Sequence, residues 1–80
     1  MRILVSVQTV AHLHRRTVGQ NIRKHRKKAC LSQEQLAEKA DLSYKFVGEV
    51  ERGQENISLD ALFRIATALR VRLTDLTRGV

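Results

Sequence analysis

The sequence predicts an all-α fold of five helices. Three observations support this prediction: five hydroxyl residues stand at N-cap positions, apolar residues recur at helical spacing, and none of the 80 residues is proline. The one strand-like stretch, Ile3–Val7, has no evident pairing partner. We therefore expect a compact helical domain over residues 17–80. Residues 1–16 form an N-terminal arm or extension, which the sequence leaves open as an ordered arm or a disordered tail.

The first two predicted helices begin at capping boxes. Thr17 is followed three residues later by Gln20, and Ser32 by Gln35. In this arrangement the hydroxyl and the amide each satisfy a free backbone N–H group. The second helix is expected over Gln33–Ala40. Apolar stripes along the two helices are formed by Val18, Ile22 and Ala29 in the first and by Leu36, Ala37 and Ala40 in the second.

Ser43, Ser58 and Thr74 are the N-cap candidates for the last three helices. Gly53 is expected to end the third helix in the left-handed conformation that glycine adopts freely. The fourth helix has the broadest apolar face, at the spacing of a helix that packs on a core. The stripes are Val47 and Val50 in the third helix, Leu59, Leu62, Phe63, Ile65, Ala66 and Leu69 in the fourth, and Leu73 and Leu76 in the fifth.

A tight turn separates the second helix from the third. Asp41 is the turn residue expected to take a positive φ, a region that Asp visits more readily than most residues. Two short helices at this spacing are typical of a helix-turn-helix, whose second helix enters the major groove of DNA. The spacing therefore predicts a surface that reads double-stranded DNA.

The basic charge is concentrated at the start of the chain. Residues 1–28 hold eight Lys and Arg and no acid, whereas residues 29–80 hold seven bases and eight acids, within a net charge of +7. Such a segment favours a polyanionic partner, because each Lys or Arg placed on a phosphate releases counterions. The alternative is a solvated cationic helix. The predicted reading segment, Gln33–Asn56, is by contrast weakly acidic.

Length and composition exclude several classes of protein. One small core leaves no room for a catalytic domain or a small-molecule effector domain. His12, His14, His25 and Cys30 match no metal-site spacing, so no metal and no cofactor are expected. The longest apolar block, Ile3–Val5, is too short to cross a membrane. A single cysteine fits a reducing compartment, and we expect a cytoplasmic protein, nucleoid-associated when bound to DNA.

Three sequence blocks resemble the Cro and phage-repressor (Xre-like) helix-turn-helix family. They are Leu31–Glu38 (LSQEQLAE), the pair Leu42 and Ser43, and Val50–Gly53 (VERG), and the similarity covers roughly residues 18–77. The resemblance implies a lambda-repressor-like DNA-binding domain. It also implies a transcriptional repressor or autoregulator, which is not an enzyme and acts as a homodimer on an operator with two-fold symmetry.

The resemblance also assigns roles to individual residues. It implies that Gln33 contacts a phosphate and supports the reading helix, and that Arg26 forms an ion pair with Glu51. Ser43, at a helix N-terminus, is expected to bind phosphate. Four residues of the third helix are expected at base edges, and Arg52 with the loop after it along the DNA backbone. The predicted DNA-binding set is Gln33, Ser43, Tyr44, Lys45, Gly48, Glu49, Arg52, Gln54 and Asn56.

The chemistry of the third helix suggests what it reads. Lys45 could donate to guanine O6 and N7, Glu49 could accept from cytosine N4, and Tyr44 could contact a thymine methyl group or a phosphate. Gly48 has no side chain to offer. Phe46 and Phe63 fall on apolar faces and are expected in or beside the core rather than on the DNA.

A second hypothesis comes from the N-terminal arm. Ile3–Val7 could pair edge to edge with another chain, as an unpaired strand can. The protein would then be an interaction subunit, such as an antitoxin with a toxin partner, and DNA binding would be secondary. For the regulator, phage repressor, restriction-modification controller and autoregulated antitoxin all stay open. The predicted dimer contact is formed by Leu73, Leu76 and Val80.

Overall fold

Five helices account for most of residues 6–80, the part of the chain that the computed structural model describes. They are α1 (Val7–Lys28), α2 (Gln33–Ala40), α3 (Tyr44–Glu51), α4 (Leu59–Leu69) and α5 (Leu73–Leu76). Residues 6–80 contain no strand. The all-α class with five helices is therefore confirmed.

Serine side chains begin the first four helices. At α2, Ser32 Oγ accepts from the Gln35 backbone N–H at 3.0 Å, and Gln35 Oε1 accepts from the Ser32 backbone N–H at 2.8 Å. This confirms the predicted capping box. Ser43 and Ser58 cap α3 and α4 as predicted, each accepting a backbone N–H three residues later at 3.1 Å. Ser6 does the same for α1, at 3.1 Å from the nitrogen of Thr9.

Two of the predicted helix starts are wrong. α1 begins at Val7, so Thr17 lies inside the helix, where its hydroxyl donates to the Leu13 carbonyl at 3.1 Å. A mid-helix Thr can bond back to the preceding turn in this way, so its hydroxyl does not mark a helix start. Thr74 lies inside α5, which begins after Arg72; the Arg72 backbone N–H donates to the Asp75 carboxylate at 2.8 Å.

The described part of the predicted N-terminal arm forms the cap and the first turns of α1. Val7, predicted as the end of a strand, is helical, and so are residues 8–16. Ile3–Val5 lie outside the described residues. The division into an arm (1–16) and a domain (17–80) stays a prediction, although α1 runs without a break across residue 16.

The first four helices end in the same left-handed turn. Asp41 has φ 56° after α2, and Gly53 has φ 74° after α3, as predicted for both residues. In each turn the following backbone N–H donates to a carbonyl five residues earlier, and Leu42 N to Ala37 O measures 2.9 Å. Cys30 and Arg70 take the same conformation after α1 and α4. Their residue types gave no signal of it.

The core lies where the five helices meet. Its fully buried large side chains are Ile22, Leu36, Val47, Ile65 and Leu76. α5 is fixed to α1 by Asn21, whose amide Nδ2 donates to the Leu76 carbonyl at 2.9 Å and to the Arg78 carbonyl at 2.8 Å. The short C-terminal helix therefore belongs to the single core.

Two predictions about single side chains are wrong, the dimer contact of Leu76 and the burial of Phe63. Leu76 lies in the core-facing stripe of α5 as predicted, but at 0% exposure it has no surface left for a dimer contact. Phe63 is 61% exposed, because it lies on the flank of the apolar stripe of α4 while Leu62 and Ile65 face the core. Phe46 is partly buried and packs on the core, as predicted.

A close approach of α1 and α3 depends on Gly19. A Cβ atom at this position would clash with the Val50 carbonyl oxygen and would lie 2.8 Å from that of Glu51. Because both contacts are with backbone atoms, α3 could not keep its position beside α1. A Cβ on Gly48 would instead meet the ends of two flexible side chains, Arg52 Nη1 at 3.2 Å and Gln33 Oε1 at 3.6 Å.

We expect Gly19→Ala and Gly48→Ala to change stability in opposite directions. Gly19→Ala forces the two helices apart and should lower the free energy of unfolding by about 1–3 kcal/mol. Gly48→Ala should raise it by up to about 1 kcal/mol through helix propensity. Urea unfolding monitored by circular dichroism measures both. A Gly19→Ala variant as stable as the wild type would contradict the close contact.

Candidate nucleic-acid interface

α3 divides its side chains between the core and the surface. Val47 and Val50 are buried, whereas Tyr44 is 56% exposed and the Lys45 side chain is 89% exposed. Glu49, one turn after Lys45, is partly exposed and lies 3.9 Å from it, measured from Lys45 Nζ to Glu49 Oε1. Tyr44, Lys45 and Glu49 therefore form an outward polar face on α3.

The N-terminus of α2 lies beside this face. Gln33 lines a shallow cleft of about 240 Å³ together with Tyr44, Lys45, Gly48 and Arg52. Gly48 is buried beneath the guanidinium of Arg52, since a Cβ there would lie 3.2 Å from Arg52 Nη1. The missing side chain of Gly48 makes room for Arg52. The structure thus brings together five of the nine predicted residues in one cleft.

A buried ion pair joins α1 to α3, one of the two helices that form this cleft. Arg26 Nε and Glu51 Oε2 are 2.7 Å apart, Arg26 Nη2 donates to Glu51 Oε1 at 3.1 Å, and both residues are 8% exposed. Arg26 Nη1 also donates to the Leu31 carbonyl at 2.8 Å, and Gln33 Nε2 donates to Glu51 Oε1 at 3.0 Å. The implied Arg26–Glu51 pair is present, and Gln33 joins it from α2.

The loop after α3 brings charged groups to the edge of the cleft. Arg52 Nε donates to Gln54 Oε1 at 3.1 Å, while Gln54 and Asn56 are exposed. A hydrogen bond with the Glu49 carboxyl is the main cause that raises the pKa of Glu55. The charges of Arg15 and Lys45 act in the opposite direction on the pKa of Glu55. Acidic and basic groups from α1, α3 and the loop therefore meet here.

α1 also reaches this region, which the sequence did not predict. Arg16, Gln20 and Arg23 line a second cleft of about 240 Å³ with Glu51 and Arg52 of the α3 end. Their spacing of four and three residues puts them on one stripe of a helix. This spacing could have predicted the stripe only if the first helix had been predicted to begin before Thr17, since Arg16 otherwise lies outside it.

Residues 6–80 were also compared with the requirements of a metal site and of a membrane-spanning helix. No group of three or more His, Cys, Asp or Glu side chains converges there at a distance suited to a metal ion. No helix of this part of the chain is long and apolar enough to cross a membrane.

The sequence of this domain matches a known family. The HTH_3 helix-turn-helix profile aligns with residues 22–76, from the second half of α1 to the end of α5. The chain belongs to the Xre/Cro-like helix-turn-helix family. This confirms the family that the LSQEQLAE and VERG blocks indicated, and with it the predicted class of protein, a DNA-binding regulator and not an enzyme.

The chain is also similar to individual proteins named as repressors or control proteins. The immunity repressor protein of Bacillus phage phi105 is 45% identical over 58 residues, which are 72% of this chain and 40% of that protein. The control protein C.BamHI of Bacillus amyloliquefaciens is 42% identical over 59 residues, covering 72% of this chain and 73% of its own. The crystal structure of the restriction-modification controller protein C.AhdI from Aeromonas hydrophila superposes with a TM-score of 0.76 at 42% identity, covering 78% of this chain and 94% of that one.

We expect the buried Arg26–Glu51 pair to matter far more for stability than the exposed Lys45–Glu49 pair. Arg26→Met keeps most of the side-chain volume but leaves Glu51 buried without its partner, which should cost about 3–5 kcal/mol. Lys45→Ala removes an exposed ion pair and should cost less than about 1 kcal/mol. Urea unfolding at neutral pH compares the two variants. Equal losses of unfolding free energy in the two variants would show that the buried ion pair stabilises the fold no more than the exposed one.

Proposed function

We propose that this helix-turn-helix protein is a sequence-specific, double-stranded DNA-binding transcriptional regulator, a repressor or autoregulator that acts as a homodimer on a palindromic operator. The observation that carries the proposal is the outward polar face of α3 beside the N-terminus of α2. A helix of this kind fits the major groove with its side chains at base edges. The relatives named as repressor and control proteins support the same class of function.

The exposed side chains of α3 supply the base contacts in this proposal. Lys45 donates to guanine, Glu49 accepts from cytosine N4, and Tyr44 contacts a thymine methyl group or a phosphate. Lys45 and Glu49 are already neighbours, so each can hold the other in position as it contacts adjacent bases. The residues proposed to contact the DNA backbone are Gln33, Ser43, Arg52, Gln54 and Asn56, with the backbone of Gly48 facing the DNA once Arg52 turns to a phosphate.

We expect Lys45→Ala and Gln33→Ala to weaken DNA binding in different ways. Lys45→Ala should lose about 1–3 kcal/mol of discrimination at one or two base pairs of the operator. Gln33→Ala should weaken binding to all duplexes by the same factor whatever their sequence. The variant loses a contact with the DNA backbone and the hydrogen bond that Gln33 donates to Glu51. Fluorescence titrations against single-base operator variants separate the two patterns. A Lys45→Ala variant with wild-type base preferences would exclude Lys45 from readout.

The proposed dimer places two copies of α3 about 34 Å apart, one turn of DNA. Of the predicted contact residues, Leu73 is partly buried and Val80 is 54% exposed, so these two remain candidates after Leu76 is excluded. Selection of bound sequences from random DNA should return inverted repeats with this half-site spacing. Sedimentation of the free protein should show a dimer, and Val80→Glu should shift it toward monomer.

A second candidate function is a protein-interaction subunit, such as an antitoxin, whose DNA binding is secondary. The observation that favours it is the exposed apolar stripe at the start of α1, formed by Val7, Val10 and Leu13. Two results together would favour this function over the regulator. The first is a stoichiometric complex with a second protein in the native host that is lost in a Val10→Glu/Leu13→Glu variant. The second is equal affinity for all DNA duplexes. In both proposals the protein is cytoplasmic, and the regulator is nucleoid-associated when bound to DNA.

A further inference from the structure

α1 presents a row of polar side chains toward the C-terminal end of α3. Arg16, Gln20 and Arg23 follow one another along one stripe of the helix and form one wall of the second cleft described above. The two elements are in contact, because a Cβ on Gly53 would lie 2.7 Å from Arg16 Cγ. The cleft is thus a fixed feature of the packing between α1 and the end of α3.

The charge of this cleft is strongly positive. Arg16, Arg23 and Arg52 contribute three guanidinium groups, and Glu51 is the single carboxylate among the lining residues. Both oxygens of Glu51 are already bonded, one to Arg26 and one to Arg26 and Gln33. Within residues 6–80, neither Arg16 nor Arg23 has an ion-pair partner. Two guanidinium groups are therefore available for an external anion.

The position of the cleft identifies that anion. Arg52 lines both this cleft and the cleft that carries Gln33, Tyr44 and Lys45. A nucleic-acid strand that passes along α3 would therefore continue past Arg52 onto the wall formed by α1. Guanidinium groups bind phosphate through two parallel hydrogen bonds, which suits a strand backbone.

We propose that the cleft formed by Arg16, Arg23 and Arg52 binds a backbone phosphate of DNA, so that α1 extends the DNA-binding surface beyond the helix-turn-helix. The proposal rests on the proposed function and adds Arg16 and Arg23, which that function does not use. Arg16 lies outside residues 22–76, the part of the chain that matches the family. The added contact carries affinity for any duplex and no base preference.

The salt dependence of DNA binding tests the proposal. An Arg16→Gln/Arg23→Gln variant is compared with Lys24→Gln/Lys28→Gln, which removes the same charge from a different cleft of α1, where Lys24 and Lys28 lie near Asp75. Affinity is titrated between about 50 and 200 mM salt on a selected operator and on a random duplex. For the arginine variant, the slope of log K against log salt should become shallower by about 0.9, the value for one lost phosphate contact, on both duplexes. The lysine variant should keep the wild-type slope.

The outcomes separate this proposal from the proposed function. Equal slope changes in the two variants, or a wild-type slope in the arginine variant, would overturn the phosphate site. A wild-type protein that binds all duplexes alike overturns sequence-specific regulation, and the slopes on random duplex still test the cleft. Arg16→Lys/Arg23→Lys keeps the charge and should restore the slope. If the double glutamine variant does not fold, each single variant gives the same test with a smaller change in slope.

Discussion

The geometry of the candidate interface depends on the buried Arg26–Glu51 ion pair. It joins α1 to α3, and through the Leu31 carbonyl and the Gln33 amide it also fixes the start of α2. Because both charges are removed from water, an arrangement that separates them leaves an unpaired buried charge. The helices therefore stay in the one packing that satisfies all of these donors and acceptors. That packing holds the outward face of α3 at a set angle to the N-terminus of α2.

The distribution of charge suggests a division of work in the proposed complex. α1 carries seven of the 15 Lys and Arg and no acid, whereas the helix-turn-helix segment carries more acids than bases. Glu49 and Glu55 lie close enough together to raise the pKa of Glu55. Acidic groups beside a reading helix repel phosphates that come too close, so an imperfectly placed duplex is disfavoured. Attraction to DNA would then come mainly from α1, and selection among sequences from α3.

Much of the fold could be predicted because it depends on local chemistry. Caps and turn residues act through their own side chains or backbone, so the sequence indicates them directly. They are Ser32, Ser43, Ser58, Asp41 and Gly53. α1 also begins at a local cap, Ser6, but this serine lies inside the stretch Ile3–Val7, which is typical of a strand. The exposure of Phe63 depends on what packs against it. An apolar stripe does not reveal which of its flanks is covered. Arg16 was missed for a related reason: its place beside Arg52 follows only once α1 is known to begin at Val7.

The unbroken length of α1 has a further consequence. Residues of an α-helix turn by about 100° and advance by about 1.5 Å each, so Arg16 and Arg23 keep their alignment only while the helical phase between them is preserved. One residue inserted between them would rotate Arg16 away from the α3 end. Seven inserted residues would restore its direction but carry it about 10 Å further along the axis. Insertions and deletions should therefore be tolerated upstream of Arg16 far better than between Arg16 and Arg23.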